Sequence, residues 1–301
     1  MKLLFIITCV ITTLYLLKLL IVSCIKKYNK SQSILSEVSL SLPKCWKDLD
    51  EDDLLYVSTL FVNDNTKEDI LTKCFIYFAD LEVLHQRKDG CWICQKGKER
   101  IAIQTFEIQS FSKNLSFIID QITEVNPISS IRGQQVIDPR FRGITFKQWM
   151  AAENFYQGFL VTRQIHLLVY LCTTLYSRSY YKSSIEFKDQ DTMFRSKLFL
   201  RASKAEIYSC FIFYAGFKHY LSKEYPFLFP ASSDKSGKSF TSGNEINDMF
   251  QNMIYALSEG NVTEYDDVTH TECGKAFFFL NRTAQESKEM NDRVKKMKTK
   301  K

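Results

Sequence analysis

The sequence predicts an α+β chain, predominantly helical: a single N-terminal transmembrane helix, a helical body holding one small three-stranded antiparallel meander, and a long C-terminal helix. Three observations predict it. The run Leu3–Ile25, LLFIITCVITTLYLLKLLIVSCI, carries one charge, Lys18. As a helix its 23 residues span about 34 Å, enough to cross a hydrocarbon core of roughly 30 Å. Most of the remaining chain repeats apolar residues at helical spacing. Between Val83 and Ile103 that spacing gives way to short apolar runs separated by glycine turns. The chain divides into 1–35, a membrane anchor with a basic flank; 36–230, a helical α+β body; 231–243, a flexible linker; and 244–301, a C-terminal helical segment with a basic tail.

The elements follow in order. After a Ser-rich connector, 31–41, the acids Asp48, Asp50, Glu51, Asp52 and Asp53 precede Leu54, Leu55, Val57 and Leu60. Carboxylates in a first turn complement the helix dipole. Thr66 and Asp69 resemble a capping box ahead of Ile70, Leu71, Cys74 and Phe75. Val83–Gln86, Cys91–Gln95 and Arg100–Ile103 read as strands, with turns at Lys88-Asp89-Gly90 and Lys96-Gly97-Lys98. One helix is expected from about Thr105 to Gln121, stopping before Asn126-Pro127. Residues 128–137 read as irregular or as short strands around Gly133. A long helical pattern runs from Phe146 to Tyr176 with a break near Thr162. Residues 177–190 are polar and show no period. A strong helix spans about Ser203 to Lys223, and two final helices span about 244–259 and 263–297.

Composition bounds the function. Aromatics make up 14% of the chain, which favours a packed body over disorder. Five lysines and no acid in residues 1–35 give +5; eight basic against three acidic residues in 282–301 give +5 again. The whole chain carries +6, so the body between is mildly acidic, which argues against a nucleic-acid-binding core. Nine cysteines occur. Those in the body are mostly singletons in apolar runs, as reduced core cysteines are, and this agrees with a cytoplasmic body.

Three readings of the apolar head are open. As an uncleaved anchor, its basic flank Lys26, Lys27 and Lys30 places the N-terminus outside and the body in the cytoplasm. As a lipoprotein signal, Ile21-Val22-Ser23-Cys24 would be cut before Cys24, leaving an acylated cysteine, although Lys18 interrupts the apolar core such a signal needs. As a mis-assigned start, it would precede a soluble protein. The expectation is the uncleaved anchor.

Cys91-Trp92-Ile93-Cys94 is a CxxC, but a zinc site needs a second ligand pair, and Cys74 and His85 do not supply a knuckle. Ser232-Ser233-Asp234-Lys235-Ser236-Gly237-Lys238-Ser239 resembles the end of a phosphate-binding loop, yet it lacks the first glycine and follows Phe229-Pro230 instead of a strand. His85, His166, His219 and His270 are isolated in sequence. The sequons at Asn29, Asn114, Asn261 and Asn281 matter only on a secretory route. No catalytic, cofactor-binding or metal residue is expected. Glu153-Asn154-Phe155-Tyr156-Gln157-Gly158, a polar-aromatic patch with a glycine inside a helix, suggests close helix packing or a partner groove.

Leu42-Pro43 with Trp46, Phe141-Arg142-Gly143-Ile144-Thr145-Phe146 running into Glu153–Leu160, Phe213-Tyr214, Tyr225-Pro226-Phe227-Leu228-Phe229 and Leu280-Asn281 together resemble an uncharacterised bacterial protein family associated with prophages and other mobile elements. The resemblance covers about residues 38–295. It implies a phage-assembly or mobile-element accessory role and carries over no catalytic residue. The apolar head departs from that family's pattern. The expected function is a non-enzymatic interaction or assembly protein tethered to the cytoplasmic face of the membrane. Its expected partners are the bilayer, through Leu3–Ile25, and another protein, with no nucleic acid, no small-molecule substrate and no cofactor. The alternatives are an enzyme with a dispersed Cys/His site or an outward-facing lipoprotein acylated at Cys24.

Overall fold

The computed structural model of the 301-residue chain describes residues 40–63, 65–177, 189–230 and 243–298. The expected anchor Leu3–Ile25, the acyl site Cys24, the loop Ser232–Ser239 and all of the linker 231–243 except Gly243 lie outside the described residues. Among the described residues no helix is long and apolar enough to cross a membrane.

The order of elements is α1 (Glu51–Val62), α2 (Lys67–Phe78), β1 (Glu82–Gln86), β2 (Trp92–Lys96), β3 (Glu99–Ile103), α3 (Thr105–Ser112), α4 (Phe117–Asp120), β4 (Ser130–Ile131), β5 (Gln134–Val136), α5 (Phe146–Thr162), α6 (Ile165–Leu175), β6 (Tyr176–Ser177), α7 (Asp189–Phe199), α8 (Lys204–Glu224), α9 (Gly243–Leu257), α10 (Tyr265–His270) and α11 (Cys273–Lys298). Helix dominates, as expected. The chain forms two compact units, one holding Leu71–Leu115 and the other Pro43–Ile70 with Ser116–Lys301.

In the first unit β1, β2 and β3 form the expected antiparallel meander, in that order. Cys94 pairs with Val83 on one side and Ile101 on the other. The turns are made by Gly90 and Gly97, both at positive φ, where a Cβ would be strained. Phe75 of α2 is fully buried and stacks on Phe111 of α3, ring centroids 5.6 Å apart. The single helix expected over 105–121 is broken. Ser112 turns its hydroxyl back onto the carbonyl of Ile108 (2.6 Å), and a 3-10 turn, Lys113–Leu115, follows. Serine and asparagine there offer the backbone alternatives to continued helix.

The second unit is a helical assembly. Asp50 caps α1, accepting from the N–H of Asp53 at 2.8 Å. The buried Trp46 indole donates to the carbonyl of Phe117 (3.0 Å) and stands edge-on to its ring. Helices α5 and α6 form the pair expected from the pattern 146–176. They part at Arg163, which takes the left-handed conformation with φ 58°. β4, β5 and β6 make a second small antiparallel sheet. The sequence suggested strands near Gly133 but did not disclose β6. Helix α7 was also not read from the sequence. Its Arg195 donates to the carbonyls of Thr173 and Tyr176. Helix α8 opens on a capping box of Ser203 and Glu206 and packs on α1 and α6. The expected helix 263–297 is interrupted. Phe146 N–H donates to Thr271 O (2.8 Å) and Cys273 N–H donates to Ile144 O (2.9 Å). That two-stranded contact takes 271–272 out of helix and separates α10 from α11. An aromatic cluster of Phe146, Trp149, Phe229, Phe250 and Phe277 fills the space where α5, α9 and α11 meet.

Candidate functional site

Among the described residues Glu153 is the most deeply buried charged group, at 1% exposure in α5. Its carboxylate accepts from Gln157 Nε2 one turn on (2.7 Å), from the Tyr214 hydroxyl of α8 (3.0 Å) and from Lys218 Nζ. Lys218 also lies 5.7 Å from the centre of the Tyr156 ring. Burial first, and then the Glu153 charge, push the Tyr156 and Tyr214 phenols well above their ordinary range. Both phenols therefore stay protonated, and Tyr214 remains a donor to Glu153. With three donors converging on it, this carboxylate ties α5 to α8. Gly158, one turn further on, serves the close helix packing expected of this patch. A Cβ there would lie 3.2 Å from Leu167 Cδ1 of α6.

Cys172 of α6 and Cys210 of α8 lie within hydrogen-bonding distance of each other. Cys91 and Cys94 are both buried in the meander. Burial drives the Cys74 thiol up to about 12 and raises those of Cys94, Cys172 and Cys273. A nucleophilic thiol needs the opposite shift. Of the histidines, His85 lies on β1 and His166 stands edge-on to Tyr170 on α6. His219 meets the Gln121 amide at 3.4 Å, and His270 meets the carbonyl of Asp266 at 2.7 Å. Among the described residues no group of three or more His, Cys, Asp or Glu side chains is placed to hold a metal ion.

A different surface stands out between α9 and α11. There an open groove of about 570 Å³ is lined by Met249, Met253 and Ala256 of α9, by Leu280 and Ala284 of α11, and by Leu228. Glu245 and Asp248 stand along its α9 side, and Thr283 and Ser287 along its α11 side. Each wall arises from helical spacing: 245, 248/249, 252/253 and 256 share one face of α9, and 280, 283/284 and 287 share one face of α11. Methionines give such a floor an adaptable shape.

Helix α11 continues past this groove. Every residue from Glu286 to Lys298 is exposed. Along the extension Met290, Val294 and Met297 are exposed at 66%, 44% and 67%. They prolong one stripe, Ala276, Leu280, Thr283, Ser287, Met290, Val294, Met297, whose steps alternate four and three. That is the a/d pattern of a coiled-coil seam. In the sequence this stretch reads only as the end of a C-terminal helical segment with a basic tail. The signal that would have found the seam was the alternation of steps, weakened to the eye by Thr283 and Ser287. No family model matches the chain, and neither a curated protein nor a solved structure matches it.

Proposed function

We propose that this chain is a non-enzymatic interaction and assembly protein of the mobile-element type, held at the cytoplasmic face of a membrane by Leu3–Ile25 and binding a protein partner through the α9–α11 surface. The observation that carries the binding part is the pairing of an open, methionine-floored groove with an exposed apolar seam on the same helix. Three large apolar side chains in line on one exposed helix face are the anchors a helix-in-groove contact uses. The buried Glu153 cluster supports the same reading from the other side: its hydrogen bonds are spent joining helices. The tether rests on the length of the apolar run and on Lys26, Lys27 and Lys30 after it.

The test is site-specific photo-crosslinking in intact cells with the full chain. A photoreactive residue in place of Met253 should give discrete protein adducts, and the same residue at Lys113, which does not line the groove, should not. Loss of the adducts in a chain that also carries Val294→Glu supports the seam as the other half of the contact. Absence of any adduct from position 253 contradicts the binding reading. A mobile-element role would be supported by flanking tail-tube and tape-measure genes and contradicted by flanking envelope-transport genes.

A further inference from the structure

Resting on that interaction reading, we infer that the partner in the groove is a second copy of this chain: two α11 helices pair antiparallel, and the end of each lies in the α9–α11 groove of the other. Four observations carry this. First, groove and ridge occur on one chain, yet a chain cannot fill its own groove. Its ridge is the continuation of the helix that forms one groove wall, and a straight helix does not fold back on itself.

Second, the seam fixes a register. Antiparallel pairing about a two-fold axis between residues 288 and 289 sets Leu280 opposite Met297 of the second copy, Thr283 opposite Val294 and Ser287 opposite Met290. Each layer of the ridge thus meets a residue that already lines the groove. The small side chains Thr283 and Ser287 receive the large ones, the alternation that fills an interhelical seam. The arrangement is self-complementary, as a two-fold interface must be. From residue 280 to 297 it covers roughly 26 Å of helix.

Third, the charges agree. In that register Glu286 flanks the seam beside Arg293 of the second copy, twice by symmetry. The ridge, 290–298, has four basic residues and one acid, and the groove it enters carries Glu245 and Asp248. A parallel pairing would instead set the basic ends side by side and leave both grooves unfilled. Fourth, an exposed helix end of this length is marginal in water without tertiary packing. Its seam residues would gain that packing in the pair.

The test uses full-length chain in membranes, with Ser287→Cys and Met290→Cys variants expressed together and treated with copper phenanthroline. Joint expression should give a disulfide-linked dimer mapped by mass spectrometry to 287–290. Val294→Cys alone should not, because in this register the two copies of residue 294 lie about 16 Å apart along the axis. Thr283→Cys with Val294→Cys should behave alike, so a misfolded single variant does not decide the matter. Adding Val294→Glu should lower the cross-linked fraction at least about tenfold. A 294–294 link from Val294→Cys alone, or no link with a monomer mass in detergent, overturns the pairing. So does a ridge that becomes protected only on adding phosphatidylglycerol vesicles, which would assign it to lipid. A monomer whose position 253 still cross-links to a different protein refutes self-pairing and spares the interaction reading. A monomer with no adducts refutes both.

Discussion

Glu153 illustrates how one residue couples sequence to architecture. Its carboxylate is buried and its donors come from two helices. Replacing it with leucine would leave Lys218, Tyr214 and Gln157 without their acceptor, and removing one partner of a buried pair costs roughly 3–5 kcal/mol. Glu153→Leu should therefore lower the urea midpoint strongly, and Glu153→Gln, which keeps an acceptor, should lower it less. Asp138 makes a pH-dependent contribution. Burial works against its ionisation, but the Arg142 guanidinium and the N–H groups of Arg140 and Arg142 hold its pKa below the ordinary value. The folded state thus binds its proton later than the unfolded chain does. The stabilisation is present above the unfolded pKa, about 3.9, and is lost as pH falls through the folded one. Unfolding followed by circular dichroism between pH 5 and pH 2 should show a shallower acid loss in Asp138→Asn, with wild-type slope counting against this assignment.

At the scale of elements, joints decide the outcome. Arg163 closes α5 in the left-handed conformation, which glycine adopts without the Cβ penalty. Arg163→Gly should stabilise the protein by up to about 1 kcal/mol, less whatever its guanidinium contributes over the Phe159 ring at 5.8 Å; thermal melts would show it. Gly216 in α8 is the opposite case. A Cβ there would fall inside van der Waals contact with the carbonyl of Thr123 and press on Val125. Gly216→Ala should cost on the order of 1–3 kcal/mol. Local signals made much of this legible. The Thr66–Asp69 cap, the acids that open α1, the glycine turns of the meander and the break near Thr162 are all short-range chemistry. The interruption at 271–272 was not legible, because residues 144–146, far away in sequence, supply its hydrogen bonds. β6 was hidden for the same reason: two residues take strand form only because β5 lies beside them. Of the candidate surface, the apolar face of α9 and the long α11 could be read as helices. The groove depends on where those helices meet, which no local pattern contains.

At the scale of the whole molecule, the proposed plan sets a membrane-length apolar run at one end and a partner-binding helix at the other. A cytoplasm-active reporter fused after Lys301 should be active, and a reporter that needs export should be silent there. The reverse result, or acyl label on Cys24, would contradict the topology. The uneven charge fits this plan, with basic ends around a mildly acidic body. The central claim, that the exposed seam of α11 is a bound surface, is tested most directly by amide hydrogen exchange over residues 288–298 in full-length protein. A free helix end of this kind exchanges close to the rate of unstructured chain. The account predicts strong protection there that Val294→Glu abolishes while α8 stays protected. Exchange at the unstructured rate in the native protein, unchanged by that substitution, would contradict it.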